Sequence, residues 1–181
     1  KKFLHDQFGN YLISSNHIIR LNGELHIYKD GVYVSDLREI EATMIKLIPT
    51  IPRAKRQETM AYIDIMANTE RSASSSDWIA FKNGIYNVMT DEFRDFTPDL
   101  IITNKIPWNY NPAADHELTD IIIENIACGD EEVMDLLEEM VGYCMYRRNE
   151  LGKAFILTGS GSNGKSTFLN MVRRMLGREN V

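Results

Sequence analysis

The first part of the chain alternates between apolar and polar residues in short runs, and this pattern predicts a β-meander. The runs are His17 to Leu21, Glu24 to Lys29 and Val32 to Val34. Two dipeptides, Asn22-Gly23 and Asp30-Gly31, separate them. Both suit two-residue hairpin turns, because Gly and Asn tolerate a positive φ. We therefore expect three short strands joined by tight turns.

The pattern then changes to a helical period. Ser35 or Asp36 can cap a helix that carries apolar residues on one side and ends at Pro49. A second helix is expected from near Pro52 to about Asn68. Helices beside a hairpin suggest a winged-helix-like accessory region over residues 1–70, although the pattern also fits many α+β modules. The apolar positions of the first helix are Leu37, Ile40, Met44, Leu47 and Ile48.

Strands are expected again after the Ser-rich connector Arg71 to Ser76. Trp78 to Phe81 and Ile85 to Val88 have strand-like composition, with the turn Asn83-Gly84 between them. Phe93 to Phe96 is expected to add a third strand.

An irregular stretch from Thr97 to Pro112 precedes two helices, His116 to Ala127 and Glu131 to Tyr146. Both helices carry apolar residues at helical spacing, which indicates core rather than a cofactor site. The second helix has an acidic face, expected to be solvated. Residues 71–150 are therefore interpreted as a β-hairpin and helical domain. The acidic face consists of Glu132, Asp135, Glu138 and Glu139.

Composition narrows the class of protein. The hydrophobic share of 44% and charged share of 25% are ordinary for a soluble globular domain. The net charge of -6 argues against a surface broadly coated for nucleic acid, although a local basic patch remains open. With two cysteines lacking metal-ligand spacing, and neither a membrane-length apolar run nor a signal-peptide core, we expect a cytoplasmic location. The chain does not begin with Met, which suggests a longer parent protein.

The pattern that carries chemistry lies in residues 151–181. Lys153 to Thr158 is expected to form a buried strand, and Lys165 to Leu176 a helix that Gly177 ends. Between them, Gly159 to Ser166 follows the pattern G-x-x-x-x-G-K-[ST]. Strand, Gly-rich loop and helix in this order are the context that a phosphate-binding loop (P-loop) requires.

Each residue type in this loop has a physical reason. The glycines lack Cβ atoms, so the backbone N–H groups can surround phosphate oxygens at a helix N-terminus. Lys165 can reach the β- and γ-phosphates of ATP, and Ser166 can give its hydroxyl oxygen to Mg²⁺. Lys165 is the candidate catalytic residue and Ser166 the candidate metal ligand. The candidate nucleotide-binding residues are Gly159, Ser160, Gly161, Ser162, Asn163, Gly164, Lys165, Ser166 and Thr167.

Hydrolysis needs a second strand ending in an acid that holds Mg²⁺, and often an arginine from a neighbouring subunit. Only 181 − 166 = 15 residues follow Ser166, too few for the rest of a parallel sheet. We therefore expect an α+β N-terminal part, followed by the first strand, P-loop and helix of a truncated α/β (AAA+-like) ATPase domain. Such a fragment alone is expected to be inactive in hydrolysis.

Asn163 directly before Gly164-Lys165-Ser166 makes the loop similar to motif A of superfamily 3 helicases. The sequence resembles especially the phage and plasmid primase–helicases related to the poxvirus enzyme. Three upstream segments also resemble that family, and together the likeness covers roughly Trp78 to Val181. The segments are Ile79 to Asn87, Thr103 to Pro112 and Val141-Gly142-Tyr143.

The resemblance implies a helical domain in front of a hexameric, ATP- and Mg²⁺-dependent helicase that binds single-stranded or forked DNA and unwinds DNA during replication. It supports Gly159, Gly164, Lys165 and Ser166 as nucleotide contacts, with Asn163 nearby. It carries over no second acid motif, sensor residue, arginine finger or primase site to this sequence.

Two other functions stay open. A P-loop kinase-type enzyme would need an acceptor pocket and a complete sheet within one chain. A DNA-binding or oligomerisation module would need no turnover of its own. Arg53, Lys55 and Arg56 are the candidate DNA contacts, by phosphate neutralisation. Stacking on bases is the alternative to a core role for the aromatic residues Phe81, Tyr86, Trp108 and Tyr110.

Overall fold

The structure is a computed structural model that describes residues 3–147, 152–161 and 163–181. The chain divides into two compact units. Unit 1 comprises Lys1–Ser74 with Phe96–Asn104, and unit 2 comprises Ser75–Asp95 with Lys105–Val181. Both contain helices and strands, so the predicted α+β character of the N-terminal part is confirmed. The domain boundaries expected near residues 70 and 150 stay a prediction.

Unit 1 packs three helices against a four-stranded sheet of order β3-β2-β1-β4. Strand β1 pairs antiparallel with β2 and parallel with β4, and β2 pairs antiparallel with β3. The predicted meander is therefore confirmed. The elements are α1 (His5–Ser15), β1 (Ile19–Leu21), β2 (Glu24–Lys29), β3 (Val32–Val34), α2 (Leu37–Leu47), α3 (Arg53–Met66) and β4 (Glu70–Arg71).

Both turns of the meander use left-handed backbone at two successive residues. Asn22 and Gly23 have φ of 52° and 78°, and Asp30 and Gly31 have φ of 49° and 92°. Positive φ at both central residues is the mark of a type I′ turn, which matches the twist of the flanking strands. The ring of Phe96 lies where a Cβ on Gly31 would stand, so this second turn also needs glycine for space.

Helices α2 and α3 occupy the segments expected from the sequence, and α2 is capped by Asp36, whose carboxylate accepts from the Arg38 N–H at 2.9 Å. Helix α1 was not expected, because Leu4 precedes it without a side-chain cap and Gly9 interrupts its pattern. An apolar cluster between the helices and the sheet forms the core. Its buried members are Leu12, Ile18, Leu25, Ile27, Ile40, Met44, Ile51, Ile63 and Ala67.

The returning segment 96–104 completes unit 1 along β3. The Tyr33 N–H donates to the carbonyl of Ile102 at 2.8 Å, and the Tyr33 hydroxyl donates to the carbonyl of Pro98 at 2.7 Å. The Ser74 N–H donates to the carbonyl of Ile101 at 2.9 Å. The irregular proline-containing stretch therefore satisfies backbone groups of the sheet.

In its described residues, unit 2 contains a three-stranded antiparallel sheet of order β5-β6-β7 and three α-helices. Phe81 of β5 also forms a parallel bridge with Ile106. The predicted hairpin and both following helices are confirmed, and the third strand lies slightly earlier than expected. The elements are β5 (Trp78–Phe81), β6 (Gly84–Asn87), β7 (Glu92–Arg94), α4 (Glu117–Ala127), α5 (Glu131–Met145), α6 (Lys165–Leu176) and a 3₁₀ turn (Arg178–Asn180).

A second apolar cluster joins α4, α5 and α6. Phe168 and Val172 of α6 are buried against Ile123 of α4 and against Leu137 and Met140 of α5. The four acids on the other face of α5 are exposed, as expected. Since Phe168 is 1% exposed, α6 is anchored by its own side chains.

The strand expected at Lys153 to Thr158 is wrong. Residues 152–159 have no regular secondary structure, and Ile156 is 84% exposed. A strand needs a neighbouring backbone for its N–H and C=O groups, and no described strand pairs with this segment. An apolar run alone therefore did not produce a strand. Among the described residues, no helix is both long and apolar enough to span a membrane.

Candidate functional site

The Gly-rich loop ends where α6 begins, at Gly164. Gly164 is the N-cap residue with φ of 84°, so the N-cap position has no side chain that could accept from the first N–H groups. The first turn contains no acidic residue. The first N–H groups of a helix lack internal partners and carry partial positive charge, so this end of α6 suits an anion.

Two features of Gly164 exclude a larger residue. Its φ lies in the left-handed region, and a Cβ there would stand 2.6 Å from Cγ1 of Ile126 on α4. Gly164 therefore allows α6 to start close against α4. Gly161 also has a left-handed φ of 102°, but the space beside it is open.

Lys165 turns back toward the loop that precedes it. Its Nζ donates to Oδ1 of Asn163 at 2.5 Å and to the carbonyl of Gly159 at 3.4 Å. A Cβ on Gly159 would collide with the amide nitrogen of Asn163. The three residues Gly159, Asn163 and Lys165 are therefore in mutual contact at the start of α6.

The remaining loop residues lie on the surface. Ser160, Gly161, Ser166 and Thr167 are exposed. Ser162 lies outside the described residues. The structure thus brings Gly159, Asn163 and Lys165 together and leaves both hydroxyls of the first turn of α6 accessible. Among the described residues, no group of three or more His, Cys, Asp or Glu side chains could hold a metal ion.

The candidate DNA contacts lie on the first turn of α3, and they differ in accessibility. Arg53 is exposed. Lys55 is half-buried and donates from Nζ to Glu58 at 2.8 Å. Arg56 donates to the carbonyl of Ile51 at 3.1 Å and lies 3.7 Å from a carboxylate oxygen of Glu41. Arg53 is thus the best placed of the three to meet an external phosphate.

The candidate stacking residues mostly stack on each other. The ring of Tyr110 stacks on Tyr86 with centroids 4.5 Å apart and lies 5.3 Å from Phe81, which is buried. Trp108 differs, because it is 57% exposed, while its indole N–H donates to the carbonyl of Arg174 at 2.9 Å. Three of the four aromatic residues therefore already have aromatic partners.

Comparison with known proteins identifies the family to which the chain belongs. Residues 6–128, more than half of the chain, match the family described as "D5 N terminal like". The chain belongs to the D5 N terminal like family. A protein of Acanthamoeba polyphaga mimivirus named "Putative helicase" is 26% identical to it over 102 residues. That alignment covers 55% of this chain and 11% of the viral protein.

The D5 N terminal like region includes residues 6–74 and 96–104 of unit 1, the strands β5, β6 and β7, and helix α4. It ends at residue 128, before the Gly-rich loop. The family, through residues 6–128, and the viral relative both support the resemblance to primase–helicases. The interpretation of the loop itself rests on its own sequence and on the contacts of Lys165.

Two interactions in this D5 N terminal like chain were missed by sequence reasoning. Asn83 was interpreted as a turn residue, yet its side chain exchanges two hydrogen bonds with the backbone of Tyr110, at 2.8 and 3.0 Å. Asp120 accepts from Nδ1 of His116 at 2.6 Å at the start of α4. This hydrogen bond raises the pKa of His116. The i, i+4 spacing of His116 and Asp120 was the available signal.

Proposed function

We propose that this chain supplies the upstream domain and the phosphate-binding loop of an ATP-dependent DNA helicase, in a primase–helicase that acts in phage or plasmid replication. The observation that carries the proposal is the contact of Lys165 with Gly159 and Asn163 at the N-terminus of α6, where Gly164 is the N-cap residue. Membership of the D5 N terminal like family and the viral relative with a helicase name support it.

The loop residues fit a polyphosphate by charge and by space. Gly159 and Gly164 have no room for a Cβ, because it would meet Asn163 or Ile126, whereas the space beside Gly161 is open. Lys165 contributes a positive charge, and the first N–H groups of α6 contribute donors. Ser166 would hold Mg²⁺, which when bound neutralises phosphate charge. Ser160, Gly161, Ser162 and Thr167 complete the proposed contacts.

The experiment is a calorimetric titration of the chain with ATP, with and without Mg²⁺. Lys165→Ala should lose most of the binding, because it removes the cation that pairs with the β- and γ-phosphates. Lys46→Ala, at an exposed position on α2, is the matched control and should bind as the wild type does. Equal binding by both variants would remove Lys165 and the loop from the proposal.

The parent protein offers a second test of the same assignment. A Lys165→Ala substitution there should abolish DNA-stimulated ATP hydrolysis and unwinding. Efficient phosphoryl transfer to a small metabolite would instead favour the kinase-type enzyme. A homo-oligomer, hexameric by resemblance to the helicases, is the proposed assembly of the parent protein.

A second proposed role is DNA contact through the first turn of α3. That turn contains Arg53, Lys55 and Arg56 and no acidic residue. Positive side chains at a helix N-terminus are repelled by the positive end of the helix dipole. A DNA phosphate at the same place would be attracted by the positive side chains and by the helix dipole. This observation gives the basic turn a reason to bind an external anion.

A further inference from the structure

The ammonium group of Lys165 has two hydrogen-bond partners within the loop. Its shorter hydrogen bond, 2.5 Å, goes to Oδ1 of Asn163, and a longer one of 3.4 Å goes to the carbonyl of Gly159. Both partners are exposed residues of the same loop. The lysine that would bind phosphate is therefore held by the loop itself.

The position of the Asn163 side chain depends on the absence of a side chain at Gly159. The amide nitrogen of Asn163 lies where a Cβ on Gly159 would stand, and Nζ of Lys165 lies 3.0 Å from the same point. Gly159 thus leaves room for the Asn163 amide to reach Lys165. The Asn163 side chain and the Lys165 ammonium can meet because residue 159 is a glycine and carries no Cβ.

The Lys165 ammonium has three N–H donors and uses two of them within the loop, so a phosphate that takes the donor now used by Asn163 replaces the Asn163 oxygen as acceptor. The amide oxygen is neutral, whereas the phosphate is charged, so a charged ligand wins the exchange but loses part of its binding free energy to it. We propose that Asn163 is a positioning residue that holds Lys165 through its side-chain oxygen and thereby lowers affinity for every phosphate ligand that needs this lysine. The inference rests on the proposed nucleotide binding and concerns the regulation of that site.

Two substitutions of Asn163 should act in opposite directions. Asn163→Ala removes the acceptor and frees the ammonium. Asn163→Asp replaces a neutral acceptor with a charged one and holds the ammonium more strongly. A role of Asn163 in loop shape alone would make both substitutions loosen the loop, so opposite signs distinguish the two explanations.

The first measurement needs no nucleotide. Acylation of Lys165 by acetic anhydride would be followed by mass spectrometry in the ligand-free chain, with exposed Lys46 as the internal reference. The rate of Lys165 divided by that of Lys46 should be several-fold higher in Asn163→Ala than in the wild type, and lower in Asn163→Asp than in the wild type. Equal rates in the wild type and both variants would overturn the inference and leave the proposed function untouched.

The second measurement compares ATP with AMP by calorimetry. Asn163→Ala should bind ATP about threefold to tenfold more tightly, the effect of losing one exposed charge-assisted hydrogen bond. AMP, which lacks the β- and γ-phosphates, should bind equally to the wild type and to Asn163→Ala. If Asn163→Ala binds ATP as tightly as the wild type or more weakly, while Lys165→Ala loses binding, the proposed role of Asn163 is rejected and the proposed function is kept. Absence of ATP binding in the wild type would reject both.

Discussion

Arg20 of β1 donates from Nε to the carbonyl of Ala67, 3.0 Å away, directly after the last residue of α3. The same guanidinium donates to the carbonyl and the carboxylate of Asp64, each at 2.7 Å. The last turn of α3 contains no basic residue. A strand residue therefore supplies the positive charge and the donors that the end of this helix needs.

Removal of this contact should destabilise unit 1. We expect Arg20→Met to lower the free energy of unfolding by about 1–3 kcal/mol, because carbonyls at the helix end lose their donors. Urea denaturation measures the change. The control is Arg38→Met, whose side chain is 92% exposed and which should alter stability by less than about 0.5 kcal/mol. Equal losses in the two variants would contradict the role given to Arg20.

The two turns of the meander provide a matched pair of glycine substitutions. Gly23 and Gly31 both have a left-handed φ, but only Gly31 faces a neighbouring ring, that of Phe96. Gly23→Ala should cost about 1 kcal/mol in backbone strain. Gly31→Ala should cost about 1–3 kcal/mol more, because its Cβ overlaps the ring.

A double variant tests the origin of that difference. Phe96→Leu in the Gly31→Ala background should recover part of the lost stability, measured by thermal unfolding, since the smaller side chain leaves room for the Cβ. If the two substitutions simply add, the overlap with Phe96 is not the cause.

The pair His116 and Asp120 predicts a pH dependence at the start of α4. The hydrogen bond that His116 donates to Asp120 raises the pKa of His116 above its usual 6.5, so protonated His116 is favoured in the folded chain. The associated stabilisation is present below pH 6.5 and is lost as the pH rises through the raised pKa. NMR titration should show a lower pKa of His116 in Asp120→Asn.

Glu138 provides the comparison for this titration. It also raises the pKa of His116, but it is the smallest of the contributing groups. Glu138→Gln should therefore lower the pKa of His116 less than Asp120→Asn does. A larger effect from Glu138→Gln would mean that the contact at 2.6 Å is not the dominant cause.

Charge reversal on α3 tests the proposed DNA contact. Arg53→Glu and Lys55→Glu should weaken binding to single-stranded DNA, because each removes a cation and adds an anion near phosphate. Each lost phosphate contact should reduce the slope of log K against log salt by roughly 0.7–1. Lys46→Glu changes net charge equally, at an exposed position on α2. The same loss in Lys46→Glu would make the effect one of overall charge.

Local turn chemistry explains why the meander was predictable. The dipeptides Asn22-Gly23 and Asp30-Gly31 strongly favour type I′ turns. These turns join antiparallel strands, so they also predict the strands on either side. Helix α1 was not predictable in this way. Its Gly9 is compatible with a helix because the ring of Tyr62, on α3, packs against the space that a side chain would occupy.

The candidate site was predictable in its residue types but not in its contacts. The spacing of Gly159, Gly164 and Lys165 is a property of the sequence, and α6 begins where that spacing places it. The prediction of a strand at Lys153 to Thr158 was wrong, because an apolar run forms a buried strand only where another strand can pair with it. The bond between Asn163 and Lys165 depends on side-chain rotamers, which no periodicity encodes.

The return of residues 96–104 to unit 1 has a consequence for synthesis on the ribosome. The carbonyl of Ile102 that pairs with the N–H of Tyr33 emerges only after the whole hairpin β5–β6–β7 has been translated. Until then the nascent sheet exposes the edge of β3, an unpaired template for association with other chains. Completion of the first-translated unit is thereby delayed until part of the second has left the exit tunnel.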